Sequence, residues 1–133
     1  MGQPAAKQGD RVTAVDSHLI QPPSGPPVAL PNPFSGVIDG GLSPNVRING
    51  QPAATVGSTA TNTPPHVPQG GTFVNPPTNK GSVSTGSSTV RINKRPAARA
   101  GDTAITCNDP APAPVGTVVV APAGASRVVR IGG

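Results

Sequence analysis

The sequence predicts an all-β fold: a small, closed, pseudo-three-fold object of short strands and Pro/Gly-rich loops, built from three internal repeats. Three observations predict it. Pro-Ala-Ala begins at Pro4, Pro52 and Pro96, 48 and 44 positions apart, and each copy has a glycine three residues past its second alanine: Gly9, Gly57 and Gly101. Val-Arg-Ile begins at Val46, Val90 and Val129; the first two copies sit just ahead of a Pro-Ala-Ala, and the third has none after it. No segment sustains a 3.6-residue apolar period, because Gly and Pro interrupt every candidate helix. The unmatched pieces at the two ends are complementary, so joining them completes a third unit. A ring whose last strand seats beside the first turn leaves no open sheet edge, which a flat repeat array would expose.

Each element follows in order. The units span approximately 4–49, 50–93 and 94–131. Each starts at the Pro-Ala-Ala turn and passes through a Gly-Asp or Gly-Ser step into a short alternating stretch. Arg11-Val12-Thr13-Ala14-Val15 and Thr103-Ala104-Ile105-Thr106 are the clearest of these, with one set of side chains inward and the other outward. A Pro-rich loop comes next: Gln21 to Pro33, Pro64 to Pro77 and Pro110 to Pro114. Proline cannot donate to a ladder, so these loops are expected outside the sheet or at its edge. A glycine then leads into β-branched residues at Gly36-Val37-Ile38, Gly81-Ser82-Val83 and Gly116-Thr117-Val118. In the Val-Arg-Ile strand, Val and Ile are expected to share the inward face, leaving Arg47, Arg91 and Arg130 as an outer ring.

The 133 residues are expected to form one domain, 1–133, with no extension domain. Nineteen Pro, 17 Gly, two Phe and no Trp or Tyr would also suit a disordered chain. The recurrence of Pro and Gly in register with clusters such as Val118-Val119-Val120 argues for order instead. With so few large apolar residues, rigidity must come partly from proline, each well-placed copy stabilising by about 0.4–1 kcal/mol through the unfolded chain. The formal charge is +5, and the basic residues are scattered apart from a patch at Arg91, Lys94, Arg95 and Arg99. No aromatic platform accompanies them, so no nucleic-acid partner is expected. A single cysteine excludes an internal disulfide. No export signal or apolar span is visible, so synthesis in the cytoplasm is expected.

His18, His66 and Cys107 are the only good soft-metal ligands, and they fall one per unit. Both histidines lie 14 residues past their unit's first proline, whereas Cys107 lies 11 past Pro96. Equivalent positions about an axis converge, and zinc, or iron in its place, could tie the three units together there. The alternative is two exposed loop histidines and one buried, inert cysteine. A catalytic dyad of Cys107 with either histidine lacks the orienting group and pocket that catalysis needs, so no enzyme is expected.

The stretch Gly86-Ser-Ser-Thr-Val-Arg-Ile-Asn-Lys-Arg-Pro-Ala-Ala-Arg-Ala-Gly-Asp102 resembles the defining repeat of the PAAR proteins, named for Pro-Ala-Ala-Arg. The other units resemble it more loosely, with Lys7 and Thr55 where Arg99 stands. The resemblance implies a conical tip that caps the trimeric VgrG-like spike of a contractile injection machine, whether type VI secretion, an extracellular injection system or a phage tail. It implies a monomer that mates with the spike at its base, transient contact with a target membrane and outward delivery with the apparatus. Recruitment of secreted effectors, as an adaptor at the tip, is the alternative role. The family holds zinc through three His and one Cys. His18, His66 and Cys107 carry over, while the third histidine is absent and Asp16, Asn108, Asp109 or water must complete the shell.

Overall fold

The computed structural model describes residues 2–109, 111–120 and 129–132. Pro110, the expected start of the third Pro-rich loop, lies outside the described residues. Among those described there is no helix, and thirteen strands follow one another. They are β1 (Gln3–Pro4), β2 (Arg11–Gln21), β3 (Val28–Gly40), β4 (Arg47–Ile48), β5 (Gln51–Pro52), β6 (Thr59–Asn62), β7 (Thr72–Phe73), β8 (Lys80–Val83), β9 (Arg91–Ile92), β10 (Arg95–Pro96), β11 (Thr103–Thr106), β12 (Ala113–Val119) and β13 (Arg130–Ile131). Strands β2, β3, β6, β8, β11 and β12 pair in that order, and β12 pairs back onto β2, closing a six-stranded antiparallel barrel.

One end of the barrel is sealed by the Pro-Ala-Ala turns. The Ala6 amide donates to the Ala98 carbonyl at 2.9 Å, Ala98 to Ala54 at 3.0 Å and Ala54 to Ala6 at 3.0 Å, a triangle of backbone bonds about a pseudo-three-fold axis. The bridges Ala5 to Arg99, Ala53 to Lys7 and Ala97 to Thr55 repeat the same cycle. Nothing larger than alanine suits this point, since Ala6, Ala54 and Ala98 are wholly buried. Each turn reverses at Gly9, Gly57 or Gly101, whose φ of +93°, +96° and +89° favours glycine. The side chains of Asp10, Ser58 and Asp102 lock it by accepting from the Lys7, Thr55 and Arg99 amides.

Below the triangle lie three two-stranded ribbons, β4/β5, β9/β10 and β13/β1, the last joining the chain's two ends. Ile48, Ile92 and Ile131 point inward from them onto Ala5, Ala53 and Ala97. The Val-Arg-Ile pattern therefore splits differently from the sequence expectation. Arg47, Arg91 and Arg130 are exposed, but Val46, Val90 and Val129 also remain 36–40% exposed. Only one apolar residue per ribbon fits over the small alanines.

Above the triangle, Ile38, Val83 and Val118 with Val12, Ala60 and Ala104 fill the barrel. The next level carries Gly36, Gly81 and Gly116, and Phe34 occupies the room that two of them leave. A Cβ on Gly36 would lie 2.7 Å from Phe34 Cε1, and one on Gly81 would lie 3.3 Å from Phe34 Cζ.

The first unit departs from the expectation of short strands and a long loop. Most of the expected Gln21 to Pro33 loop is strand, because β3 starts at Val28 and runs along β2 over ten paired positions. Pro31 and Pro33 share the parity of Ser35, whose amide points away from β2 to the Asn62 side chain at 2.9 Å. Their missing donors therefore fall on an edge where no ladder bond is lost. Within the Pro64 to Pro77 loop, β7 adds to the far end of β2.

Candidate metal centre

At the end of the barrel opposite the alanine triangle, Phe34 is followed by a buried polar cluster: Asp16, His18, His66 and Cys107. Asp16 and His18 alternate inward along β2 at 0% and 1% exposure, so His18 is a buried strand residue and not the exposed loop histidine of the alternative reading. His66 enters from the loop after β6, and Cys107 directly follows β11. The register of β11 against β12 shifts between Ala104 and Thr106. That irregularity accompanies the early position of Cys107 in its unit.

One ligand atom from each residue lies within 4.8 Å of all the others. Asp16 Oδ2 stands 3.0 Å from His66 Nε2, 3.5 Å from Cys107 Sγ and 4.0 Å from His18 Nε2, and the thiol is 3.9 Å from His18 Nε2. The edges of a zinc tetrahedron built from ordinary Zn–N, Zn–O and Zn–S lengths are about 3.3–3.5 Å, inside this range. Of the three residues left open for the fourth ligand, only Asp16 joins the cluster. The Asn108 carboxamide oxygen accepts from the Ser17 amide at 2.7 Å, and Asp109 accepts from the Leu19 amide and the Asn75 side chain. These two pin the Cys107 segment to β2.

Hydrogen bonding tests whether a cation suits the cluster. Among the described residues His18 Nδ1 is buried without a hydrogen-bond partner, and its Nε2 has only long contacts, to the thiol at 3.9 Å and Asp16 Oδ2 at 4.0 Å. Buried polar atoms are rarely left so, and a bound ion is one of the few explanations. Asp16 also accepts from the Thr106 hydroxyl and the Cys107 thiol, gathering protons that a cation would replace. On the outer side, His66 Nδ1 contacts Asn62 Nδ2 at 3.3 Å, and Asn79 Oδ1 accepts both from Asn62 and from the His66 amide. These contacts orient the ring. With Nδ1 as acceptor, Nε2 carries the proton given to Asp16; His66 would hold a metal through Nε2 with the proton on Nδ1, where the Asn62 side chain would have to turn its oxygen to the ring.

Electrostatics favour the neutral forms until a cation arrives. Burial first, then the neighbouring His66, lowers the His18 pKa, with Asp16 and Asp109 opposing. Burial first, then the Asp16 charge, pushes the Cys107 thiol up to about 11. A thiol held protonated in this way is a poor nucleophile, whereas a divalent ion would pull the thiol pKa back down and keep His18 neutral, the two forms a metal needs. A cavity of about 200 Å³ lined by His18, Asn75, Cys107 and Asp109, among others, opens beside the cluster and supplies a way in. The cluster can thus hold a metal ion, with zinc and iron both suited to a His₂AspCys donor set.

No protein-family model matches the chain, and no curated protein matches it. Fold and site together define its class: a small closed β-barrel, its C-terminal strand paired with its N-terminal one, carrying a buried cluster that can hold a metal ion.

Proposed function

We propose that this protein is a PAAR-type spike tip: a rigid, non-enzymatic cap on the trimeric VgrG-like spike of a contractile injection machine, helping it pierce the target envelope. The observation that carries the reading is the triangle of Ala6, Ala54 and Ala98, through which one chain presents a three-fold face. A monomer with such a face can match a three-fold trimer without being one. The three ribbons around it offer equivalent arginines, Arg47, Arg91 and Arg130, and half-exposed valines to a spike below. At the opposite end, His18, His66 and Cys107, with Asp16 as the fourth ligand, hold zinc or iron and link all three units. The metal replaces part of what a chain with two Phe and no Trp or Tyr cannot obtain from its core. Synthesis in the cytoplasm and delivery outward with the apparatus follow from this role.

The test is stoichiometry. Mixed with the trimeric spike protein of its own host and sedimented, the protein should bind as one copy per trimer. Reversing the charge of the arginine ring, as Arg47→Glu with Arg91→Glu, should abolish the complex and leave the metal content intact. Three copies per trimer, or no complex with the wild-type chain, would sink the reading.

A further inference from the structure

Of the three junctions around the alanine triangle, one breaks the pattern of charges that the other two share. Around the alanine triangle each turn lies against the ribbon of a neighbouring unit: the Gln8 amide donates to the Pro52 carbonyl, Val56 to Pro96 and Ala100 to Pro4. Each junction therefore brings together the residue two past the first alanine of one unit and the residue just before the proline of another. At two junctions the first of these is a cation and the second a glutamine: Lys7 with Gln51, and Arg99 with Gln3. At the third the roles are exchanged, with Thr55 facing Arg95. One cation stands at every junction.

The carboxylates do not follow the exchange. Lys7 pairs with Asp10 at 3.2 Å and Arg99 with Asp102 at 3.0 Å, the latter bond helping to raise the Arg99 pKa. At the third junction Ser58 stands where those aspartates stand, and its hydroxyl is bonded to the Gly41 carbonyl and the Thr55 amide. Arg95 lies over Gly57 and donates only to the Val56 carbonyl at 3.4 Å, with no carboxylate partner among the described residues. Its neighbours on the same ribbon, Arg91 and Lys94, add positive charge. Beside it runs a groove of about 250 Å³ lined by Leu42, Ser43, Pro44, Ile92, Asn93 and Arg95. The unit that follows has Gly86 at the place of Leu42, so it offers no such apolar wall.

Folding does not demand this asymmetry, because the other two junctions close the same backbone cycle with paired charges. We infer that the groove docks a single acidic segment of another protein, one carboxylate meeting the Arg95 guanidinium while a small aliphatic side chain packs between Leu42 and Ile92. A free guanidinium is suited to a bidentate carboxylate, and the surrounding positive potential selects an acidic partner. The site takes one partner per chain, since the equivalent junctions have already satisfied their cations internally.

The inference stands on the isolated protein and does not depend on the spike reading. The probe is a pool of short blocked peptides alternating Asp or Glu with Leu or Val, titrated into ¹⁵N-labelled metal-loaded protein, with the corresponding Asn/Gln pool as control. Shifts should be confined to residues 41–44, 55–58 and 92–95 and should weaken as salt is raised. Arg95→Gln, which installs the residue the other two ribbons carry, should weaken binding about tenfold or more. Equal shifts around Lys7 and Arg99, binding that survives Arg95→Gln, or no response to the acidic pool would each overturn the proposal.

Discussion

Asp16 is the residue on which the chemistry of the cluster turns, and the sequence left it as one of three equal candidates. The two histidines were legible because they repeat at the same distance from a proline, and Cys107 because it is the only thiol. A buried carboxylate carries no such signature: Asp16 and Asp109 look alike until the strand pairing sends one inward and holds the other on the Leu19 amide and the Asn75 side chain. Replacing Asp16 with Asn keeps the shape but removes the charge, and should lower zinc affinity at least about tenfold in a competitive chelator titration. The thiol makes loading pH-dependent. Because Cys107 must lose a proton whose pKa is about 11, zinc affinity should rise by about tenfold per pH unit through neutral and mildly alkaline pH. The metal-free protein should show the reverse linkage. A thiol raised from 9.0 to about 11 in the fold contributes stability that is complete below pH 9 and lost as pH climbs toward 11. His18, lowered from 6.5, contributes stability that is lost as pH falls below 6.5. Denaturant unfolding of the metal-free chain should therefore plateau between those values, and saturating zinc should turn the plateau into a slope rising by about 1.4 kcal/mol per pH unit. A flat profile without metal would contradict the burial of both groups.

At the scale of elements, the repeated turns and ribbons were legible because their chemistry is local: glycine at positive φ, a capping Asp or Ser, and Pro-Ala-Ala packed where only alanine fits. The extension of β2 and β3 was not legible, since proline marks loops and only the pairing parity reveals that Pro31 and Pro33 sit on an open edge. The packing of Phe34 was equally hidden, because it depends on glycines in two units meeting one aromatic ring from a single unit. That contact is testable. Phe34→Ala should cost about 3–5 kcal/mol, as truncation of a buried aromatic usually does. Gly36→Ala should cost about 1–3 kcal/mol, because its Cβ would press on the Phe34 ring at 2.7 Å and on the Ala60 Cβ at 3.1 Å. If those two residues compete for one space, Gly36→Ala combined with Phe34→Leu should be less destabilised than the sum of the single changes, measured by denaturant unfolding of all four chains. Strict additivity would mean that Phe34 does not fill the space left by Gly36.

For the whole molecule, the decisive feature is that the third ribbon is cut where the other two are turned. β4 and β5 are joined by Asn49-Gly50 at φ of 50° and 83°, and β9 and β10 by Asn93-Lys94 at 52° and 69°, the left-handed pair of a two-residue hairpin. In β13 and β1 the register is the same, with Ile131 opposite Gln3 as Ile48 is opposite Gln51 and Ile92 opposite Arg95. Arg130 donates to the Gly2 carbonyl just as Arg47 does to Gly50 and Arg91 to Lys94. A direct bond from Gly132 to Gly2 would therefore supply a Gly-Gly turn of the favoured kind, and the chain could be opened instead between Asn49 and Gly50. The barrel strands keep their neighbours in this permutant, and the loop-closure cost shifts only from one ribbon to its equivalent. It should fold to within about 2 kcal/mol of the parent and bind zinc with unchanged stoichiometry, because His18, His66, Cys107 and Asp16 lie at the far end of the barrel. Opening the chain instead inside β2, between Val15 and Asp16, separates two barrel-lining positions of one strand and should abolish both folding and metal binding. A permutant opened at Asn49-Gly50 that fails to fold, measured by circular dichroism and unfolding, would show that the ribbons are not equivalent and that the three-fold face is not a property of the whole chain.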